Sequence, residues 1–488
     1  MRASLPGLVA AIVIAGAASA RADAPVVYPG DFGGLPPLGP ERSYAPPRVT
    51  KLKLASAAEL WVVPDATLPL LTVRVIMPGA GAAADPAGKG GLADYAADLL
   101  FEAGAGELGA RQLAERLEGM GSHLASWAEV DAAFVETTML ARTRKDTLAL
   151  LGDVLASPRF ELAEGRRVHD DRKTAVVLRR DEPGAVAHLI LRAALQGAAS
   201  PYGHPVQGTL ASLAAFGVDD ARAFYKAHYG TQRMIIVAAG DVDPEALRAD
   251  LDAALGAWRG KPSAPVWPRP RDKAPGGGDR LFVVDRAEAE QANVLVGAIG
   301  VARSDVRASA LEVATSLLGG TFSSRLSHRL REELGLTYGV SAIAGYERAL
   351  GVVAIESAMS TPRTGEGLGE TLRLVADLAR TPVPPDELAA VKANLVRSLP
   401  QAFNSNDAIV DAFADLAAAG LPSEWFDGYA AQIEAVGAAD VQKAARTLLT
   451  PERLVVVIVG PLGMIGADVA KLGLGRPALL DADGTRVK

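Results

Sequence analysis

Between Leu70 and Met77 the chain reads LLTVRVIM, the two-residue alternation of a strand, and ANVLVGAIG at 292–300 has the same character. Each run precedes a segment whose apolar residues recur at helical spacing. In GGLADYAADLLFEAGAG, Gly90 to Gly106, residues Leu92, Ala96, Leu99, Leu100 and Ala103 form an apolar stripe, while Asp94 and Asp98 stand one turn apart on another face. ASALEVATSLLGG takes the corresponding place in the second run. The parallel continues: ARQLAERLEGMG and AAFVETTML correspond to SRLSHRLREELG and GVVAIESAM, and TQRMIIVAAGDVDP near residue 240 answers PERLVVVIVGPLGM near residue 460. Order repeated at a spacing of roughly 220 residues predicts an α+β fold made of two homologous, duplicated domains, each an antiparallel sheet covered by helices.

The segment RGKPSAPVWPRPRDKAPGGGDR at 259–280, with five prolines and three consecutive glycines, excludes regular structure and reads as the linker. The predicted organisation is a signal peptide at 1–22, an extended proline-rich leader at 23–50, a first domain at 51–258, a second at 281–465 and a tail at 466–488. At the N-terminus, Arg2 precedes the apolar run LPGLVAAIVIAGAASA and then small residues, the pattern of a secretory signal too short to span a bilayer. An exported, periplasmic address is therefore expected, with no transmembrane segment in the remainder. Cysteine is absent, which excludes a disulfide framework. The net charge of −7 gives no basic face for nucleic acid.

Taken with their order, four stretches resemble the M16 family of metallopeptidases, the pitrilysin or insulinase-like group: GGLADYAADLLFEAGAG, SPYGHPVQGT from Ser200, FYKAHYGTQRMIIVAAGDVDP from Phe224, and LLGGTFSSRLSHRLREELGLTYGV from Leu317. The likeness runs from about residue 45 to about residue 465. The family's opening helix carries an inverted zinc motif, H-x-x-E-H, in which two histidines bind zinc and the intervening glutamate takes a proton from metal-bound water. Aligned on Gly91, Leu92, Phe101 and Gly104, this chain has Asp94, Ala97 and Asp98 at those positions. All three reactive side chains are replaced, so the resemblance implies no metal bound by this chain. The acid pair is expected on a solvated face, where like charges one turn apart cost only about 0.2–0.5 kcal/mol. The alternative is a remodelled cation site helped by His169, Asp170 or Asp171 in the segment 166–183, where the family's distal glutamate should lie. The six histidines show no pair at metal-ligand spacing.

In the second half, LREELGLTYGV supplies Arg331 and Tyr338 at the seven-residue spacing of the family's other signature. Arg331 should end a helix beginning near Ser323 or Ser324 and stopped by Gly335, with Tyr338 entering the next strand. The resemblance assigns this pair to substrate carbonyl binding and oxyanion stabilisation, a reasonable task for a guanidinium and a phenol. It also assigns Gly319 and Gly320 to a glycine-containing bend near the substrate, although they would equally serve close backbone approach. It implies the Arg/Tyr-bearing subunit of a heterodimeric peptidase, whose homologous partner carries zinc on an intact H-x-x-E-H and whose substrates are peptides or unfolded segments. The alternative is a catalytically inactive peptide-binding or scaffolding protein of the same fold.

Overall fold

The computed structural model describes residues 44–256, 258–260, 262, 267 and 279–487. The signal peptide, most of the leader and most of the linker lie outside the described residues.

Two six-stranded sheets are built in the same way. The first contains β1 (Thr50–Lys53), β2 (Glu59–Pro64), β3 (Leu70–Pro78), β4 (His123–Ala128), β5 (Ala132–Leu140) and β6 (Ile235–Gly240), in the spatial order β1-β2-β6-β3-β5-β4. The second contains β7 (Leu281–Asp285), β8 (Gln291–Ile299), β9 (Thr337–Tyr346), β10 (Gly351–Ser360), β11 (Val455–Gly460) and β12 (Ala478–Leu480), in the order β12-β7-β11-β8-β10-β9. Strand for strand, β2, β6, β3, β5 and β4 correspond to β7, β11, β8, β10 and β9, so the duplication read from the sequence is present in the topology. The central pairs are antiparallel, as expected. The β2–β6, β7–β11 and β7–β12 pairs are parallel, because helical connections return the chain to the same end of the sheet. The tail, which suggested no role in the sequence, contributes β12 as an edge strand and ties it back through Arg180, whose Nη2 donates to Asp483 at 2.5 Å.

The helices that matter for the site are α1 (Leu92–Glu102), α2 (Leu162–Arg179), α3 (Pro183–Gln196), α4 (Ala308–Gly319) and α5 (Asn406–Ala419). Alternation along the strands sends neighbouring residues to opposite faces, and both faces are buried. Leu60 and Val62 of β2 join a core with Leu92, Leu99 and Leu100 of α1, whereas Trp61 and Val63 join the core that contains Phe413 of α5. Thus α5, from the second half, covers the outer face of the first sheet. Thr72 Oγ1 donates to Asp407 at 2.7 Å and Arg74 pairs with Asp411 at 2.5 Å. Reciprocally α3, from the first half, packs Val186, Ile190 and Leu191 against Leu295, Val457 and Val459 of the second sheet. Gly297 in β8 makes room for this helix, since a Cβ there would stand 2.4 Å from Leu191 Cδ2. The halves exchange helices, and residues 45–488 form one unit. Among the described residues no helix is long and apolar enough to cross a membrane.

Candidate functional site

Helix α1 starts where Gly91 adopts φ +98°, a left-handed conformation that favours glycine, and where a Cβ would meet Gln207 O at 2.9 Å. Asp85 satisfies the first turn, accepting from Gly91 N and Ala93 N at 2.7 Å each. The loop of the SPYGHPVQGT stretch closes over this turn, and Ser212 Oγ beyond it donates to Gly90 O at 2.7 Å. The helix is buried on nearly every side, from Leu92 to Ala97 and again at Leu99 and Leu100.

The acid pair is therefore not solvated, contrary to expectation. Arg172, on α2, reaches between the two carboxylates: Nη1 donates to Asp94 at 2.9 Å and Nη2 donates to Asp98 at 2.5 Å. The side chains of Arg172 and Asp94 are 10% and 11% exposed, and that of Asp98 is 29% exposed. The other oxygen of Asp94 accepts from Ala128 N at 2.9 Å, pinning the end of β4 to α1. Tyr95 ties α1 to α2 beside the pair, its hydroxyl donating to Gly165 O at 2.8 Å. Burial pushes the Asp98 carboxyl up to about 6 against the pull of Arg172. Burial also opposes the charge of Arg172, but attraction to Asp94 and Asp98 wins and its pKa is raised.

The three helpers proposed for a cation site do not converge on it. His169 Nε2 lies 2.8 Å from Leu213 O and its ring packs edge-on to Tyr95 and Phe216. Asp170 pairs with Lys173, and Asp171 pairs with Arg167. Among the described residues no group of three or more His, Cys, Asp or Glu stands close enough to hold a metal ion.

The pair lies in the wall of a cavity of about 1280 Å³ formed between the two halves. Strand β4 lines it from His123 to Ala128, and α2 contributes Arg172 and Arg179; Arg303, Glu347 and Arg348 come from the second half. The β4–β5 and β9–β10 turns meet at its rim, where Asp131 accepts from Arg348 N at 2.7 Å and Glu347 pairs with Arg192. Ala128 donates away from β5. By the two-residue alternation of an antiparallel pair, Leu124 and Ser126 present their backbone groups on that same outer edge.

Arg331 and Tyr338 are not in this wall. Arg331 lies in a helical segment as expected, but Ser327–Glu333 is a π-helix, with Leu334 N donating to Arg329 O at 3.1 Å. Gly335 ends it at φ +59° and Tyr338 enters β9, also as expected. The Arg331 guanidinium stands 4.8 Å over the Phe322 ring, and Tyr338 is 90% exposed. Gly319 ends α4 against β9, where a Cβ would meet Ala342 N at 2.6 Å, while a Cβ on Gly320 would strike Ser316. Neither glycine is in the cavity wall.

Residues 215–395 match the family model of the peptidase M16 inactive domain. An uncharacterized zinc protease of Streptomyces coelicolor is 27% identical over 290 residues, 59% of this chain and 62% of that protein. The match thus spans under two thirds of that relative's length. A peptidase M16 inactive domain from Pseudomonas fluorescens superposes with a TM-score of 0.77 at 23% identity, over 85% of this chain and 98% of that one. A chain of Complex III2 from Candida albicans superposes at 0.72 with 13% identity, over 87% and 100%.

Residues 215–395 thus form a domain of the M16 inactive type. The residues aligned with the zinc motif of the M16 family do not fit zinc: both carboxylates are committed to a guanidinium, and Ala97 is buried with no donor atom to offer. The sequence reading missed Arg172. Within RRVHDDRK the acids and the histidine are the residue types that bind metal, and arginine is not. The signal for Arg172 was helical phase: Val168, Arg172, Ala175 and Arg179, spaced four, three and four, share the cavity side of α2.

Proposed function

We propose that this chain is the zinc-lacking subunit of a two-chain, exported M16-type peptidase, in which Arg331 and Tyr338 serve a hydrolytic site whose zinc is carried by a homologous partner. The observation that carries the reading is the split between halves. The metal position is filled by Arg172, while the Arg/Tyr pair is displayed outward, with Tyr338 almost fully exposed and Arg331 resting on an exposed Phe322. A guanidinium and a phenol are donors that suit negative charge developing in a transition state. Peptides would bind in extended form along β4, where Leu124 and Ser126 offer a strand edge, so recognition rests on backbone first.

The test is to purify the chain alone and with an H-x-x-E-H homologue encoded beside it. The chain alone should cleave no unfolded peptide and the mixture should. Arg331→Ala or Tyr338→Phe should lower turnover by about 10²–10³-fold with assembly intact. Zinc-dependent cleavage by the isolated chain, or unchanged turnover in both variants, would sink the proposal. A second reading, a peptide-binding protein without hydrolysis, is favoured by the β4 edge inside a cavity where, among the described residues, no metal-binding set stands; it predicts peptide binding by the chain alone and no gain of cleavage with any homologue.

A further inference from the structure

We infer that Arg172 stands in for a metal ion: the metal position of the fold has become a guanidinium site filled by the chain's own side chain, which joins α1, α2 and β4 without zinc. The geometry is that of a bridging cation. Two carboxylates one turn apart on α1 each take one nitrogen of the same guanidinium, at 2.9 and 2.5 Å, so the cation links them rather than forming a fork with either one. Asp94 then passes the constraint to β4 through Ala128 N. The Tyr95 ring lies 5.9 Å beneath the guanidinium carbon and its hydroxyl returns to α2 at Gly165.

Charge argues the same way. Asp94 and Asp98 on one buried helix would repel each other and lose hydration, and a residue that merely filled space at 172 would leave both uncompensated. A single cation between them removes that cost wherever it comes from. A metal would also require the oxygens that Arg172 already holds, so occupancy by arginine and by a divalent ion exclude each other. The inference concerns this chain alone and does not depend on a partner.

The full chain is the material for the test, and the local readout is hydrogen exchange at the Ala128 amide. In the unaltered protein neither EDTA nor added Zn²⁺ should change the melting temperature or Ala128 exchange. Arg172→Met should accelerate Ala128 exchange by roughly tenfold or more, the factor for losing about one charge-assisted hydrogen bond. Ethylguanidinium should restore protection in Arg172→Ala, whose short side chain leaves room for it, and do nothing to the unaltered chain. Should Arg172→Met fail to fold, Arg172→Lys keeps the cation and carries the test: it should fold and exchange faster at Ala128 by a smaller factor. Loss of stability of the unaltered chain in EDTA, or Ala128 exchange unchanged in whichever variant folds, would overturn the inference.

Discussion

The exchange of α3 and α5 between halves makes a stability prediction that the two-domain sequence pattern would not. Leu191 belongs to the first half but is buried against the second sheet, over the notch left by Gly297. Leu191→Ala removes a fully buried side chain whose neighbours, Leu295 and Val457, are themselves buried strand residues that cannot collapse into the gap. A loss of about 3 kcal/mol is expected, within the range of about 2–5 for such truncations. Gly297→Ala alone places a Cβ 2.4 Å from Leu191 Cδ2 and should cost about 1–3 kcal/mol by overpacking. In the double variant the new methyl enters the space that Leu191 vacated, so the total should fall short of the sum by about 1 kcal/mol or more. The assay is urea unfolding followed by tryptophan fluorescence, with Trp258, packed against the first half's own core, reporting the first half and Trp425 the second, each isolated by replacing the other tryptophans with Phe. Since each half carries part of the other's core, both probes should shift by the same amount. Separate transitions, with only the second-half probe displaced by Leu191→Ala, or strict additivity in the double variant, would refute the exchanged-helix account.

Gly319→Ala should destabilise by about 1–2 kcal/mol, overpacking against the Ala342 backbone being partly offset by the better helix propensity of alanine; a neutral result in urea unfolding would show that α4 and β9 can separate at no cost. Burial pushes the Glu347 carboxyl up to about 7, despite Arg192 beside it. With the folded pKa raised above the ordinary 4.5, the folded state holds the proton more tightly, so this group's contribution to stability is full below pH 4.5 and is lost as pH rises through about 7. Glu347→Gln should remove up to about 3 kcal/mol of that decline across the window, read from urea midpoints at a series of pH values; equal slopes in both proteins would contradict it.

What the sequence disclosed was whatever depends on neighbours in the chain. The alternation of LLTVRVIM and ANVLVGAIG marks β3 and β8, the stripe from Leu92 to Ala103 marks α1, and Gly335 stops the Arg331 helix. Contacts between distant residues were hidden. Arg172 and Asp94 are 78 positions apart, and their pairing arises only when α2 folds over α1. Amphipathic periodicity shows that Val186, Ile190 and Leu191 must be covered, but not that the covering sheet belongs to the other half. The π-helix at Ser327–Glu333 has the composition of an ordinary helix, and β12 is three residues long, below the length at which alternation carries a signal.

The two halves diverge at one equivalent place, and the divergence has a physical logic. In both, the helix after the first long strand crosses the sheet's last strand: α1 meets β4 and α4 meets β9. In the first half that crossing is made by side chains, Asp94 holding Ala128 N and Arg172 holding Asp94. In the second it is made by the absence of one, Gly319 letting backbone approach Ala342 directly. A contact built on a buried charge network is rigid but demands its full set of partners, since loss of one strands the rest. A contact built on glycine demands nothing polar, so the side chains around β9 are free to point outward, as Tyr338 does. Two acids buried on one helix need a cation between them, whereas donors can stay exposed wherever packing alone closes the fold. Arg172 and Tyr338 are the two outcomes of that constraint on one duplicated frame.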